Sequence, residues 1–125
     1  MEIALSLLMS ATLLLTVAVA SSVALWITYL ACMNLKVVHE GGSMTRPAYW
    51  LGILVVAVFY LLDFFVNAFV CSVIFGNFPR ELTVTERLNR EFRKGGWRAD
   101  VAMFVAKHFL NTYDPSGQHC DFLVK

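Results

Sequence analysis

Charge is what this chain lacks over most of its first 75 residues. No charged side chain occurs from Ile3 to Leu35, and Asp63 is the only one from Trp50 to Phe75. With 58% hydrophobic and 15% charged residues, that distribution excludes an ordinary soluble domain. Cysteine is scarce as well. Cys32, Cys71 and Cys120 have neither the paired spacing of a zinc site nor the even number of a disulfide framework, and read as free thiols. Also missing are a nucleophile motif, a glycine-rich phosphate loop and a catalytic acid pair, which argues against an enzyme. No cofactor and no metal are expected. In residues 77–125 eight Lys and Arg stand against six Asp and Glu, too weak an excess for a nucleic-acid surface.

What is present is two apolar runs, each longer than the roughly 20 residues a helix needs to cross a bilayer. Only helices and closed barrels satisfy their backbone groups in lipid, and a barrel needs many more, shorter segments. The expected fold is an all-α membrane protein, a two-helix transmembrane hairpin followed by two short amphipathic cytoplasmic helices. Its parts are a first transmembrane helix over 1–33, a periplasmic connector over 34–48, a second transmembrane helix over 49–76 and a basic tail over 77–125. Trp26 and Tyr29, with Tyr49 and Trp50, bracket the connector as an aromatic belt, Glu40-Gly41-Gly42-Ser43 signals a turn, and Pro47 suits a break before the second helix. Arg80, Arg87, Arg90, Arg93, Lys94 and Arg98 follow the second span directly, which predicts a bacterial inner-membrane protein with both termini cytoplasmic. The same six are the expected contacts with an anionic membrane surface or a partner. Ala18-Val19-Ala20 and Leu30-Ala31-Cys32 resemble leader cleavage sites, but the run lacks a basic start and is too long, which favours an uncleaved span.

Two side-chain patterns mark the spans. Thr12, Thr16, Ala20, Ala24 and Thr28 recur every four residues as a helix-packing row. Tyr60, Asp63, Asn67 and Cys71, three or four residues apart, form an intramembrane polar stripe. A charge at bilayer depth costs roughly 3 kcal/mol on insertion scales, so Asp63 must face a partner, a protein interior or water. Three readings follow: a group on a proton, ion or gating path; a structural residue bonded to Asn67 or to first-helix hydroxyls; or a residue near the interface because the helix ends early.

In the tail, Thr83 and Glu86 have the form of a capping box, opening a helix through about Lys94 with Val84, Leu88 and Phe92 on one side. Gly95-Gly96 ends it. A second helix from Trp97 to Tyr113 would carry Trp97, Val101, Phe104, Val105, His108 and Phe109 on one stripe, before a turn at Asp114-Pro115-Ser116-Gly117. These 49 residues are too few for a substantial core, so their apolar faces need the membrane surface, each other or a second copy. His119-Cys120, near Asp114 and Asp121, collects metal-competent residues at no recognised zinc spacing.

Leu62-Asp63 with Asn67, then Gly76, Pro79, Glu81, Thr83, Thr85 and Arg87, then Gly96-Trp97, Asp114-Pro115 and His119-Cys120 form a loose pattern. In it the chain resembles a group of small membrane proteins of tailed phages and prophages, often encoded near lysis genes. About half the chain is covered; the first span lies outside, and an extra residue stands between Pro79 and Arg87. The resemblance implies a phage or prophage origin, a host inner-membrane setting, and a polar stripe and tail that act as one unit. The expected function is holin-like or lysis-accessory, through homo-oligomers in the lipid bilayer, with other phage or host envelope proteins as candidate partners. The alternative is a non-pore interaction protein, for superinfection exclusion or as a scaffold docking a cytoplasmic partner through the tail.

Overall fold

A computed structural model describes residues 1–123, so the last two residues of the expected tail lie outside the described residues. Every regular element among the described residues is helical. Helix α1 spans Glu2–Glu40 and α2 spans Arg46–Phe75, and both are long and apolar enough to cross a membrane. Proline and glycine are absent from α1, and hydroxyls that would compete with its ladder are satisfied inside it: Thr12 donates to the Leu8 carbonyl at 2.9 Å, Thr16 to Thr12 at 2.8 Å and Ser22 to Ala18 at 2.8 Å. The turn is made where Gly42 takes φ +69°, a left-handed conformation that favours glycine.

The connector is shorter than expected. It comprises residues 41–45, because α1 continues past Lys36 and His39 to Glu40. Pro47 lies inside the first turn of α2, where its missing N–H costs nothing, so it starts that helix instead of preceding it. Over Val66–Cys71 the α2 ladder widens into a π-helical stretch, and the helix stops at Gly76, φ +64°.

The tail contributes α3 (Val84–Lys94) and α4 (Gly96–Val105), the latter continued by a π-turn over Ala106–Leu110 and a 3-10 turn over Asn111–Tyr113. A second 3-10 turn covers Asp121–Leu123. Of the expected stripe on the second tail helix, Val101 and Val105 pack against the buried cluster, whereas Trp97, Phe104, His108 and Phe109 are exposed; Ala102 and Ala106 beside them are fully buried. Small side chains let α4 approach its neighbours closely, and the bulky ones are displaced outward.

The tail does not trail away from the hairpin. Val66, Cys71 and Phe75 of α2 share one buried cluster with Leu88 of α3 and Ala102 of α4, so the tail folds back along one side of the C-terminal half of α2. On the α1 side, Tyr29 and Cys32 are buried, Leu25 packs against that cluster, and Leu35 lies over Gly52. This register, with the Tyr29 and Phe59 rings 6.3 Å apart, leaves about the first three turns of α1 beyond the end of α2.

A Cβ on Gly52 would stand 3.6 Å from the Leu35 side chain, an ordinary contact. Gly52→Ala is therefore expected to leave the melting temperature of the detergent-solubilised chain unchanged or raised, since Ala favours a helix by about 1 kcal/mol. Gly52→Leu should lower it by forcing α1 and α2 apart.

Candidate functional site

The polar junction starts at Asp63. Its side chain is 5% exposed, and Oδ1 accepts the Val84 backbone N–H at 3.0 Å. Thr83 Oγ1 accepts the N–H of Glu86 at 3.3 Å, so two of the otherwise unpaired donors in the first turn of α3 are satisfied together. A carboxylate also sits well at the positive end of a helix. The partner of Asp63 is thus the tail, not the Ser and Thr hydroxyls of the first helix.

One turn on, Asn67 is fully buried; its amide donates to the Glu81 carbonyl and its oxygen accepts from Arg87 Nη1 at 3.4 Å. Cys71 is buried beneath these in the apolar cluster. Tyr60, expected on the same stripe, is 58% exposed and does not join them.

Beyond Asn67 lies an ion cluster centred on Glu91. Arg87 and Glu91 are both fully buried, and Arg87 Nη2 donates to the Asn77 carbonyl at 2.7 Å and to the Asn77 side-chain oxygen. Asn77 Nδ2 donates to Glu91 Oε1 at 2.8 Å. Lys94 and Arg90 reach the same oxygen at 3.0 and 3.2 Å, while Arg87 Nε and Arg98 Nε stand 3.6 Å from the carboxylate, attractive but too long for good hydrogen bonds. Burial alone would raise the Glu91 carboxyl, but Lys94, Asn77 and Arg90 hold it below its ordinary value of 4.5. Burial, then the nearby Arg90 charge, lowers the Arg87 guanidinium from its ordinary value.

Of the six basic residues expected at a membrane surface, Arg87, Arg90, Lys94 and Arg98 are therefore engaged with Glu91. Arg80 and Arg93 are exposed. Asn77 and Glu91 went unrecognised from the sequence alone, although Glu91 four residues after Arg87 and three before Lys94 is the usual spacing of a helical ion pair.

The third part of the junction ties the chain end to α1. Tyr29 Oη donates to the Leu110 carbonyl at 2.6 Å and Trp26 Nε1 to that of Phe109 at 3.1 Å. Both acceptors belong to the π-turn. Trp26 and Tyr29, expected in an interfacial belt, thus bind the tail, and Tyr29 is only 1% exposed. His119 is held at both ring nitrogens: Nδ1 lies 3.0 Å from Asp114 Oδ2 and Nε2 lies 3.2 Å from Thr85 Oγ1. The other oxygen of Asp114 accepts the backbone N–H and hydroxyl of Ser116 at 2.8 and 2.6 Å. Burial would raise this carboxyl, but the Ser116 and His119 bonds, with the charge of Lys36, bring it below its ordinary value. Cys120 is buried and its thiol is pushed up to about 12 by burial and by Asp121 and Asp114, so it stays protonated.

The small-residue row does not pack within the chain. Thr12, Thr16 and Ala20 are exposed and Ala24 and Thr28 only half-buried, because α1 meets its neighbours through Leu25, Tyr29, Cys32 and Leu35. No protein-family model, curated protein or solved structure matches this chain.

Replacing Asp63 by Leu leaves the Val84 donor unpaired and is expected to cost about 2 kcal/mol of tail docking, seen as faster proteolysis after Arg80 in intact vesicles or micelles. Unchanged protection would show that Asp63 does not hold the tail. For Glu91, a depressed folded-state pKa contributes stability that is present above its unfolded value and lost as pH falls through the folded one. The stability gap between wild type and Glu91→Gln should therefore be constant above pH 4.5 and shrink below it, in melting curves across pH.

Proposed function

We propose that this chain is a phage- or prophage-encoded inner-membrane protein that acts by self-association in the bilayer, as a holin-like or lysis-accessory component. The observation that carries this reading is the N-terminal half of α1. Its most apolar stretch has no buried residue, and it runs past the end of α2 with Thr12, Thr16 and Ala20 open along one row. The Thr12 and Thr16 hydroxyls bond to their own backbone, so a second helix can approach without leaving a donor unpaired. In lipid, association rests on such close packing, since apolar side chains gain nothing by leaving the tails. The docked tail fits a cytoplasmic position for both termini.

A separate observation favours a non-pore interaction protein. Phe78 is 88% and Leu82 69% exposed beside the exposed Arg80, an apolar pair on the link between α2 and α3 suited to docking a cytoplasmic partner.

Induced expression in bacteria should depolarise the membrane under the first reading, with Thr16→Leu and Ala20→Leu together delaying onset and reducing chemically cross-linked dimers. Harmless accumulation without permeability removes it. Under the second reading, Phe78→Ser with Leu82→Ser abolishes function while depolarisation never occurs.

A further inference from the structure

Beside the junction lies an apolar cavity of about 350 Å³ between α1, α2 and the tail, walled by Leu25, Phe59, Val70, Val105 and Leu110. Asp63, Thr85 and His119 supply polar groups to its lining. Its volume is at the lower end of ligand pockets and suits one acyl chain better than a whole lipid. Two of its three walls come from helices of bilayer-spanning length, so an acyl chain is the molecule nearest at hand.

The hydrogen bonds of His119 run in one direction. Asp114 Oδ2 on Nδ1 sets the tautomer that carries its proton there, which leaves the Nε2 lone pair aimed at the Thr85 hydroxyl 3.2 Å away. Asp114 is itself fixed by both bonds from Ser116, so the ring is oriented by a group that does not rotate. Hydroxyl, imidazole and carboxylate are joined through the same atoms as in nucleophilic acyl transfer, where the arrangement is recognised by geometry and roles and not by chain order.

We propose that Thr85, His119 and Asp114 form a hydrolytic relay whose substrate is a fatty acyl ester, with its chain in the cavity. Thr85 Oγ1 attacks the ester carbonyl carbon as its proton passes to His119 Nε2; the ester C–O bond breaks and the alcohol leaves with that proton. A water molecule, giving a proton to His119, then attacks the acyl-threonine, releasing the fatty acid and returning the proton to Thr85. Ester and water become acid and alcohol, with no other reactant. Asp114 acts through His119 as a positioning residue. This activity is independent of whether the chain forms a lesion.

The test uses the full chain in phospholipid nanodiscs, treated with an alkyl fluorophosphonate and, separately, with p-nitrophenyl decanoate. The expected result is a single covalent adduct on Thr85 by fragment mass spectrometry, and ester turnover that falls by about 100-fold or more in Thr85→Val and His119→Asn. Thr85→Ser should retain both turnover and adduct, which a merely structural hydroxyl would not predict. Wild type that gives no Thr85 adduct, or turnover equal to that of Thr85→Val, overturns the proposal; since the deciding measurement is on wild type, misfolding of a variant does not rescue it.

Discussion

A carboxylate inside an apolar helix needs something of opposite sign to meet it, and here the start of α3 does so. The bond from the Val84 N–H to Asp63 brings the positive end of a helix to a site where lipid would give the charge nothing. Once that contact is made, the direction of α3 is fixed, and Arg87, one turn into it, arrives opposite Asn67, one turn along α2. Leu88 is then turned onto Val66, Cys71 and Phe75. The apolar packing of the tail is thus organised by a polar register, and a shift of one residue would unpair both sides at once.

The Glu91 cluster has a different energetic character. Removing two charges from water is costly, and replacing a buried ion pair with apolar groups is often neutral or favourable, so the Arg87–Glu91 pair is poor evidence for stability in itself. At 3.6 Å between Arg87 Nε and the carboxylate, its direct contact is also long. What makes the arrangement tolerable is Asn77, which accepts from Arg87 and donates to Glu91, and the nearby Arg90, Lys94 and Arg98. A chain so poor in charge has concentrated much of it around one buried oxygen pair. That commits four of the tail's eight Lys and Arg to internal structure, leaving Arg80, Arg93 and Lys107 exposed.

Elements whose signal is local were legible in the sequence. Uncharged length marked both long helices, and Thr83 with Glu86 marked the start of α3, where the Thr83 cap is found. The polar stripe was legible in part: Asp63, Asn67 and Cys71 are buried on one side of α2, whereas Tyr60, on the same expected stripe, is exposed. Tertiary partners left no such trace. That Trp26 and Tyr29 bind carbonyls more than 80 residues away follows from the π-turn over Ala106–Leu110, which has no periodicity to read. On α4 the large residues of the stripe, Trp97, Phe104 and Phe109, stay exposed while Val101, Val105 and the small Ala102 and Ala106 make the contact, a choice that close crossing dictates and periodicity does not show.

Length decides how the proposed membrane setting can accommodate this fold. At 1.5 Å per residue, α1 is about 58 Å long, nearly twice the roughly 30 Å hydrocarbon core of a bilayer. Lying straight across, it must emerge by many ångströms on one side, and its charged end at Lys36, His39 and Glu40 belongs to the connector side. Helix α3 docks on α2 from Asp63 onward and the chain end lies against Tyr29 at the level of Phe59, so on that face the stretch left uncovered is about residues 46–58, roughly 20 Å, short of a full crossing. The opposite face, with Phe64, Phe69 and Val73 exposed, stays apolar to the end of the helix. A tilted hairpin with the tail sunk into the headgroup zone on one side reconciles the two faces, because tilt shortens the projected length of α1 while keeping the apolar face of α2 in lipid. In that setting the long α1 and the short uncovered face of α2 would call for the same tilt, and the docking of the tail sets how much of α2 is left uncovered.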